Sequence, residues 1–217
     1  MDREKALTYI KKLKAEAQKR NFAQSVDFIV NLQDLDFKKP EHNVDFFVTL
    51  HHERGNPVKV CGLVGPELVD QSKQSFDLTI TTDEFEKYQK NKKLAKQLAK
   101  DYTYFVAQAN IMTQVAAAFG RTLGPRGKMP NPKAGCVVPG NAALKPLHER
   151  LQKLVRVAAK QRMIIHLFVG KETMSDEQLA DNLFDLYNQL LRHLPLEKNN
   201  VKSIYLKLTM GKPIKVE

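Results

Sequence analysis

From Ser25 to Leu32 the chain alternates: Val26, Phe28, Val30 and Leu32 fall on one side, Ser25, Asp27, Ile29 and Asn31 on the other. A period of two puts successive side chains on opposite faces, so this run must lie in a sheet with one face buried. The segment before it has helical spacing: Ala6, Leu7, Ile10, Leu13 and Ala17 recur through residues 3–19, with Asp2 placed as a possible cap. After a polar turn, DFKKPEHN, a second alternating strand runs from Val44 to Leu50. An antiparallel pair joined by that turn is the economical reading.

From Asn56 onward strands and helices alternate. Short apolar strands are predicted at Val58–Val64, Phe76–Thr81 and Tyr102–Ala107. Pro66 opens a short helix, Asp83 caps a Lys-rich helix to about Ala99, Ile111–Phe119 forms a helix ending at Gly120, and Leu144–Val157 is helical. Strands with interposed helices make a small parallel α/β unit. Arg162–Val169 returns to strand character, and Ser175 with Gln178 forms a capping box for a helix bearing Leu179, Leu183, Leu186, Leu190 and Leu194, stopped by Pro195. Val201–Leu208 is a final strand, ending in Thr209–Met210–Gly211. The tail thus resembles the head, which implies one domain from both ends with another inserted between them.

Charge separates the same regions. The formal net charge is +11, from 35 Lys/Arg and 24 Asp/Glu. Residues 1–57 carry +1, residues 58–157 carry +8 and residues 158–217 carry +2. Excess positive charge in the middle points to an anionic partner, nucleic acid being the commonest, although charge alone supplies only salt-sensitive, nonspecific attraction. With no run of eighteen apolar residues, no membrane span is expected. The charged N-terminal residues lack a signal-peptide core, and Cys61 and Cys136 read as small buried residues in a reducing compartment. A cytoplasmic protein is expected.

The segment Gly120–Gly135, GRTLGPRGKMPNPKAG, holds four glycines, three prolines and four basic residues with no acid. Prolines at 125, 130 and 132 disfavour helix or central strand, and a loop of fixed shape with Arg121, Arg126, Lys128 and Lys133 suits a phosphate-rich surface. The ordinary alternative is a solvated loop between helices. It is not a P-loop: Thr122 stands where the first glycine is needed, and Met129 follows Gly127–Lys128. Gly124–Pro125–Arg126–Gly127 matches a GXXG backbone clamp, a short pattern whose flanking prolines fit poorly.

No hydrolase elbow, zinc-protease motif or patterned Cys–His pair is present, so no catalytic residue, metal site or cofactor is expected. His51 and His52 would point to opposite faces of a strand, and His166 in an apolar strand reads as structural or RNA-contacting. Lysines at 87, 90, 92, 93, 96 and 100 read first as a solvated helix face. Tyr205 and Lys207 share a strand face with Ser203 and Thr209, offering donors and acceptors to sugar hydroxyls and phosphates.

The Gly120–Gly135 string and the Thr209–Met210–Gly211 ending, with Phe22-x-x-Ser25-Val26-Asp27, His166 with Gly170–Lys171, Ala180–Asp181–Asn182 and Ser203, resemble the ribosomal "L-one" (universal L-one) family over essentially the whole chain. Lys212 between Gly211 and Pro213 departs from the bacterial pattern toward the archaeal or eukaryotic branch, and the short, tail-free chain favours the archaeal type. The resemblance implies an α/β protein of two domains. Residues 1–58 and 158–217 would form a discontinuous RNA-binding α+β domain with an antiparallel sheet, and residues 59–157 an inserted basic, Rossmann-like three-layer α/β domain.

The family's role implies a non-enzymatic large-subunit protein, monomeric when free. It would bind the stalk region of large-subunit rRNA to form the mobile lateral stalk, assist release of exit-site tRNA, and repress translation by binding its own mRNA. By motif, the RNA-binding residues would be Phe22, Ser25, Asp27, His166, Lys171, Ser203, Thr209, Met210 and Gly211, with secondary phosphate contacts from Arg121, Arg126, Lys128 and Lys133. The rival reading is a general basic RNA-binding protein or RNA chaperone outside the ribosome. Scarce aromatics (8%, with no Trp) make a stacking platform for single strands the poorer fit.

Overall fold

A computed structural model describes residues 2–39, 42–159 and 162–216. Pro40 and Glu41 of the predicted turn lie outside the described residues. The chain forms two compact units, residues 1–56 with 153–217 and residues 57–152.

The terminal unit is built on an antiparallel sheet of four strands. Its order is β10 (Ile214–Lys215), β9 (Val201–Leu208), β1 (Ser25–Leu32) and β8 (Ile164–Lys171). Strand β1 alternates between half-buried and buried residues as its sequence dictates. Val26, Phe28, Val30 and Leu32 join Ile165, Leu167, Val169, Ile204, Leu206 and Leu208 in one core. Two helices cover that face: α1 (Arg3–Ala15), which buries Ala6, Ile10 and Leu13, and α7 (Asp176–His193), which buries Leu179, Leu183, Leu186 and Leu190. The capping box at Ser175–Gln178 is formed. Asp2 occupies the cap position of α1, but its side chain makes no capping bond.

Two expectations from periodicity are overturned. β2 (Val44–Thr49) does not pair with β1. It pairs antiparallel with β7 (Leu154–Ala159), because both edges of β1 are taken by β8 and β9. Strand β7 occupies residues predicted as the end of a helix: α6 (Leu144–Lys153) stops, and Val155, Val157 and Ala159 turn inward at period two. The chain therefore returns to the terminal unit at Lys153, ahead of the break expected after Val157. Arg156 fixes this pair with a two-pronged bond to Asp45, at 2.9 and 3.0 Å.

The inserted unit carries a parallel sheet in the order β4 (Leu78–Thr81), β3 (Val60–Val64), β5 (Tyr104–Gln108), β6 (Val137–Val138). All five residues of β3 are buried, as expected of a strand covered on both faces. One face meets α3 (Phe85–Lys90), α4 (Lys92–Asp101) and α5 (Met112–Leu123) through Phe85, Leu98, Val115, Phe119 and Leu123. On the other face α2 (Val69–Ser75) comes close: a Cβ at Gly62 would lie 2.4 Å from Ser72 Oγ and 2.8 Å from the Phe76 ring. The single Lys-rich helix of the sequence reading is two helices. Asn91 interrupts it by accepting bonds from the Lys93 and Leu94 amides with its side chain, a cap that starts α4 afresh.

Candidate nucleic-acid interface

Among the described residues the second face of the terminal sheet carries no helix, and the pairing register arranges its side chains in rows. Asp27 lies between Phe168 and Lys207, Ile29 between His166 and Tyr205, and Asn31 between Ile164 and Ser203. Lys215 extends the Tyr205 row from β10. Asn31 Nδ2 donates to Ser203 Oγ at 2.8 Å, so that hydroxyl keeps its own proton to donate outward. His166 is exposed at the centre of β8. Burial raises the Asp27 carboxyl above the usual carboxylate range, while Lys207 and His166 pull it back. The guanidinium of Arg54 lies 6.0 Å from the Phe168 ring centre, adding a cation at this edge.

At one end of the face the backbone is pinned. The Ser25 amide donates to Thr209 Oγ1 at 2.9 Å, and the Thr209 amide donates to the Ser25 carbonyl at 3.1 Å. The Met210 amide donates to Gln24 Oε1 at 3.2 Å, and Gln24 Nε2 reaches the Gln18 carbonyl at 3.3 Å. Gly211 closes the turn through its amide to the Leu208 carbonyl, 2.9 Å, and an added Cβ there would lie 3.2 Å from Leu208 Cβ. Lys171 Nζ donates to the Ala23 carbonyl at 3.2 Å. A bulge between Val26 and Asp27 sets the register here, beside Gly170, where a Cβ would come within 2.7 Å of Met174 Sδ and Leu179 Cδ2.

These bonds hold a tight framework around two large apolar side chains left in solvent, Phe22 at 51% exposure and Met210 at 60%. Rigid backbone beneath exposed apolar groups is the arrangement of a surface shaped for a partner.

All nine residues of the primary set therefore fall on the open face or on the pinned loops at its end. Strand parity puts Tyr205 and Lys207 there as well. Asn31, Lys215 and Arg54 were missed. Asn31 and Lys215 follow from strand parity once the neighbours of β1 and β9 are known, whereas nothing in the sequence links Arg54 with Phe168.

The Gly120–Gly135 segment is more structured than a solvated loop. Helix α5 runs through Gly120 to Leu123 and ends in a Schellman stop. The Lys128 amide bonds the Leu123 carbonyl at 3.0 Å, the Gly127 amide bonds the Gly124 carbonyl at 3.0 Å, and Gly127 takes φ +64°. The GXXG string is thus a helix terminator, with Gly127 serving where a left-handed residue is required. Lys128 Nζ donates to the carbonyls of Ala99 and Tyr102 at 2.8 and 2.6 Å, anchoring the segment on the C-terminal end of α4. Burial lowers the Lys128 ammonium below the usual lysine range, and Arg126 adds to the effect. Arg121, Arg126 and Lys133 are exposed, Arg126 grazing the Lys96 carbonyl at 3.3 Å.

Open parallel sheets hold ligands beyond the carboxyl ends of the strands where their order reverses, here β3 and β5. That position is filled from within. Gln108, 1% exposed, accepts from the Gly65 amide at 3.0 Å and donates to Glu67 at 2.7 Å. Among the described residues no group of three or more His, Cys, Asp or Glu could hold a metal ion, and no helix is long and apolar enough to cross a membrane.

Fold and site together define the class: an α/β protein of two units whose terminal unit offers an open, cation-bearing sheet face suited to nucleic acid. The model of the Ribosomal protein L1p/L10e family matches residues 13–212, and the chain belongs to that family, whose members are structural rather than enzymatic. It is 42% identical to the large ribosomal subunit protein uL1 of Methanothermococcus thermolithotrophicus over 217 residues, covering 100% of both chains. The protein of the same name from Methanobrevibacter smithii is 42% identical over 98% of this chain and 99% of its own. That of Pyrococcus horikoshii is 38% identical over 100% and 97%.

Proposed function

We propose that this protein is a cytoplasmic component of the large ribosomal subunit whose terminal unit grips the stalk region of large-subunit rRNA. In that reading it anchors the mobile lateral stalk, assists release of exit-site tRNA, and represses its own mRNA through a similar RNA fold. The observation that carries it is the pinned end of the open sheet, where Phe22 and Met210 stand exposed beside Ser25, Thr209 and Gly211.

The Ser203 hydroxyl donates to and accepts from ribose 2′-hydroxyls, Thr209 Oγ1, whose own proton points at the Ser25 carbonyl, accepts with its remaining lone pair, and Phe22 and Met210 pack on sugar or base. Lys171, Lys207 and His166 meet phosphates, while Asp27 accepts from a hydroxyl or a base amine. Contacts of this kind, shielded from water, read RNA shape; Arg121, Arg126 and Lys133 of the inserted unit add attraction for phosphate and little selectivity.

The test is a filter-binding titration against the stalk fragment of large-subunit rRNA at two salt concentrations, with an unrelated hairpin of equal length as competitor. Tight binding that survives competitor and added salt supports the reading. Equal binding to both RNAs, collapsing with salt, overturns it in favour of a general basic RNA binder.

A further inference from the structure

Beside the pinned turn, between the end of α1 and the β9–β10 connection, lies a pocket of about 480 Å³. Leu13, Ala17 and Ile214 give it an apolar wall, and Met210 and Gly211 form the side shared with the open sheet. Gln24, 2% exposed, stands in its inner wall. Both ends of the Gln24 amide are used, one on the Gln18 carbonyl and one on the Met210 amide, so it sets the width of the slot and reads nothing itself. The rim carries three exposed charges, Glu16, Arg20 and Lys212.

The carboxylate is the informative one. At the rim of an apolar-walled slot otherwise ringed by cations, a free carboxylate can accept from N–H donors on a ligand that the cations cannot bond. Among the described residues the Glu16 carboxylate and the Lys212 ammonium have no hydrogen-bond or ion-pair partner, while Arg20 touches only Gln18 Oε1, at 3.1 Å. The slot exceeds the volume of a single nucleobase and has an apolar wall against which a ring can lie. Of the RNA bases only guanine presents two adjacent N–H donors, N1–H and the N2 amine, on its Watson–Crick edge, which match the two oxygens of a carboxylate.

We propose that this pocket takes one unstacked guanine nucleotide of the bound RNA, with Glu16 reading the base edge and Arg20 and Lys212 holding its phosphates. The inference rests on the RNA-binding reading above and adds to the open sheet face a pocket that selects one base by two adjacent donors. Met210 then serves two surfaces, packing on the captured base from the side shared with the sheet.

The test begins with the full chain and free mononucleotides, read by NMR. GMP should shift the Gly211 backbone amide and the Gln24 side-chain amide, binding about fivefold or more tighter than AMP or CMP. Glu16→Gln should erase that preference, and since Glu16 is exposed the variant retains the fold. Silence at Gly211 and Gln24, or equal shifts with all three nucleotides, overturns the proposal.

A second arm measures the stalk rRNA fragment: Glu16→Gln with Lys212→Ala should weaken it about tenfold, because one bidentate base interaction and one phosphate interaction are removed. If the unmodified protein distinguishes this fragment from the control hairpin but the double variant binds it equally well, the pocket assignment fails alone. If the unmodified protein cannot distinguish the two RNAs, the RNA-binding reading fails, and the GMP titration still decides the pocket.

Discussion

The two units solve opposite problems with their sheets. The inserted unit covers both faces of a parallel sheet, fills the crevice at its strand ends with Gln108, and leaves most of its charge on helices and loops. The terminal unit covers one face of an antiparallel sheet and, among the described residues, lays no helix on the other, where Asp27, His166, Lys207 and Ser203 are interspersed with Ile29, Ile164 and Phe168 and Phe22 and Met210 stand exposed at one end. Their net charges are nearly the same. The terminal unit holds 21 Lys/Arg and 16 Asp/Glu, the inserted unit 14 and 8, giving +5 and +6. The apparent excess in the middle of the sequence came from counting Lys153 and Arg156 with the insertion, although they belong to the terminal unit. Charge therefore does not tell the two apart. On the proposed reading, selectivity is a matter of which sheet face is open.

The largest effect that separates them should come from the exposed apolar pair. Phe22→Ala with Met210→Ala should cost about 2–4 kcal/mol of affinity for the stalk rRNA fragment, at roughly one to two kcal/mol per truncated side chain, without changing the salt slope. A weakening below threefold in a filter assay would break the comparison.

Next is the set of exposed cations on the inserted unit. Arg121, Arg126 and Lys133 replaced together by Ala should lower affinity for the fragment and the hairpin alike, reducing the salt slope by roughly one for each phosphate no longer neutralised. A selective effect on the fragment would move part of the specificity into the inserted unit.

Lys128 sharpens the distinction between charge and structure. Lys128→Met should leave the salt slope unchanged but destabilise the inserted unit by about 1–2 kcal/mol, because two carbonyls at the end of α4 lose their donor. Thermal melting and RNA titration on one sample would separate the two effects.

The smallest effects are pH effects in the terminal unit. The side-chain bond from Arg3 holds the Asp181 carboxyl below the usual carboxylate range, with His52 assisting at 3.4 Å. Its folded-state pKa is depressed, so the stabilisation is present above the ordinary carboxylate range and disappears as pH falls through the lowered folded value. Asp181→Asn should flatten that acid limb of the melting curve. Asp27 has the opposite sign: burial raises its folded value, so ionisation costs the folded state more than the unfolded chain and Asp27 subtracts stability above its folded value. Asp27→Asn should be neutral or slightly stabilising at pH 7, with the difference vanishing as pH falls below the unfolded carboxylate range.

What could be read in the sequence was whatever local chemistry decides alone. The alternation of β1 and β9, the capping box of α7 and the stop at Pro195 depend on neighbours within a few residues. Partner choice does not: β2 has a sound strand pattern, yet its partner β7 lies more than a hundred residues away and was hidden in a helical prediction. At the site, parity placed Ser203, Tyr205, Lys207 and Thr209 on one side of a strand. His166 was legible as a polar residue in an apolar strand, whereas Phe22 and Lys171 entered through the family resemblance, because no periodicity marks them. Arg54 was illegible by any route, since its approach to Phe168 depends on where the turn after β2 settles.

The central position of β1 also bears on synthesis. Its two neighbours, β8 and β9, enter the chain about 130 and 170 residues after it, once the inserted unit has been made. At ribosomal speeds of ~5–20 residues per second, β1 waits roughly 7–26 s for its first partner. The inserted unit can close on itself in that interval, while the face proposed to grip RNA is incomplete until Thr209–Gly211 emerges. A chain interrupted before that point would carry positive charge without the bonds that pin the turn under Phe22 and Met210, so on the proposed reading attraction to RNA would precede selectivity.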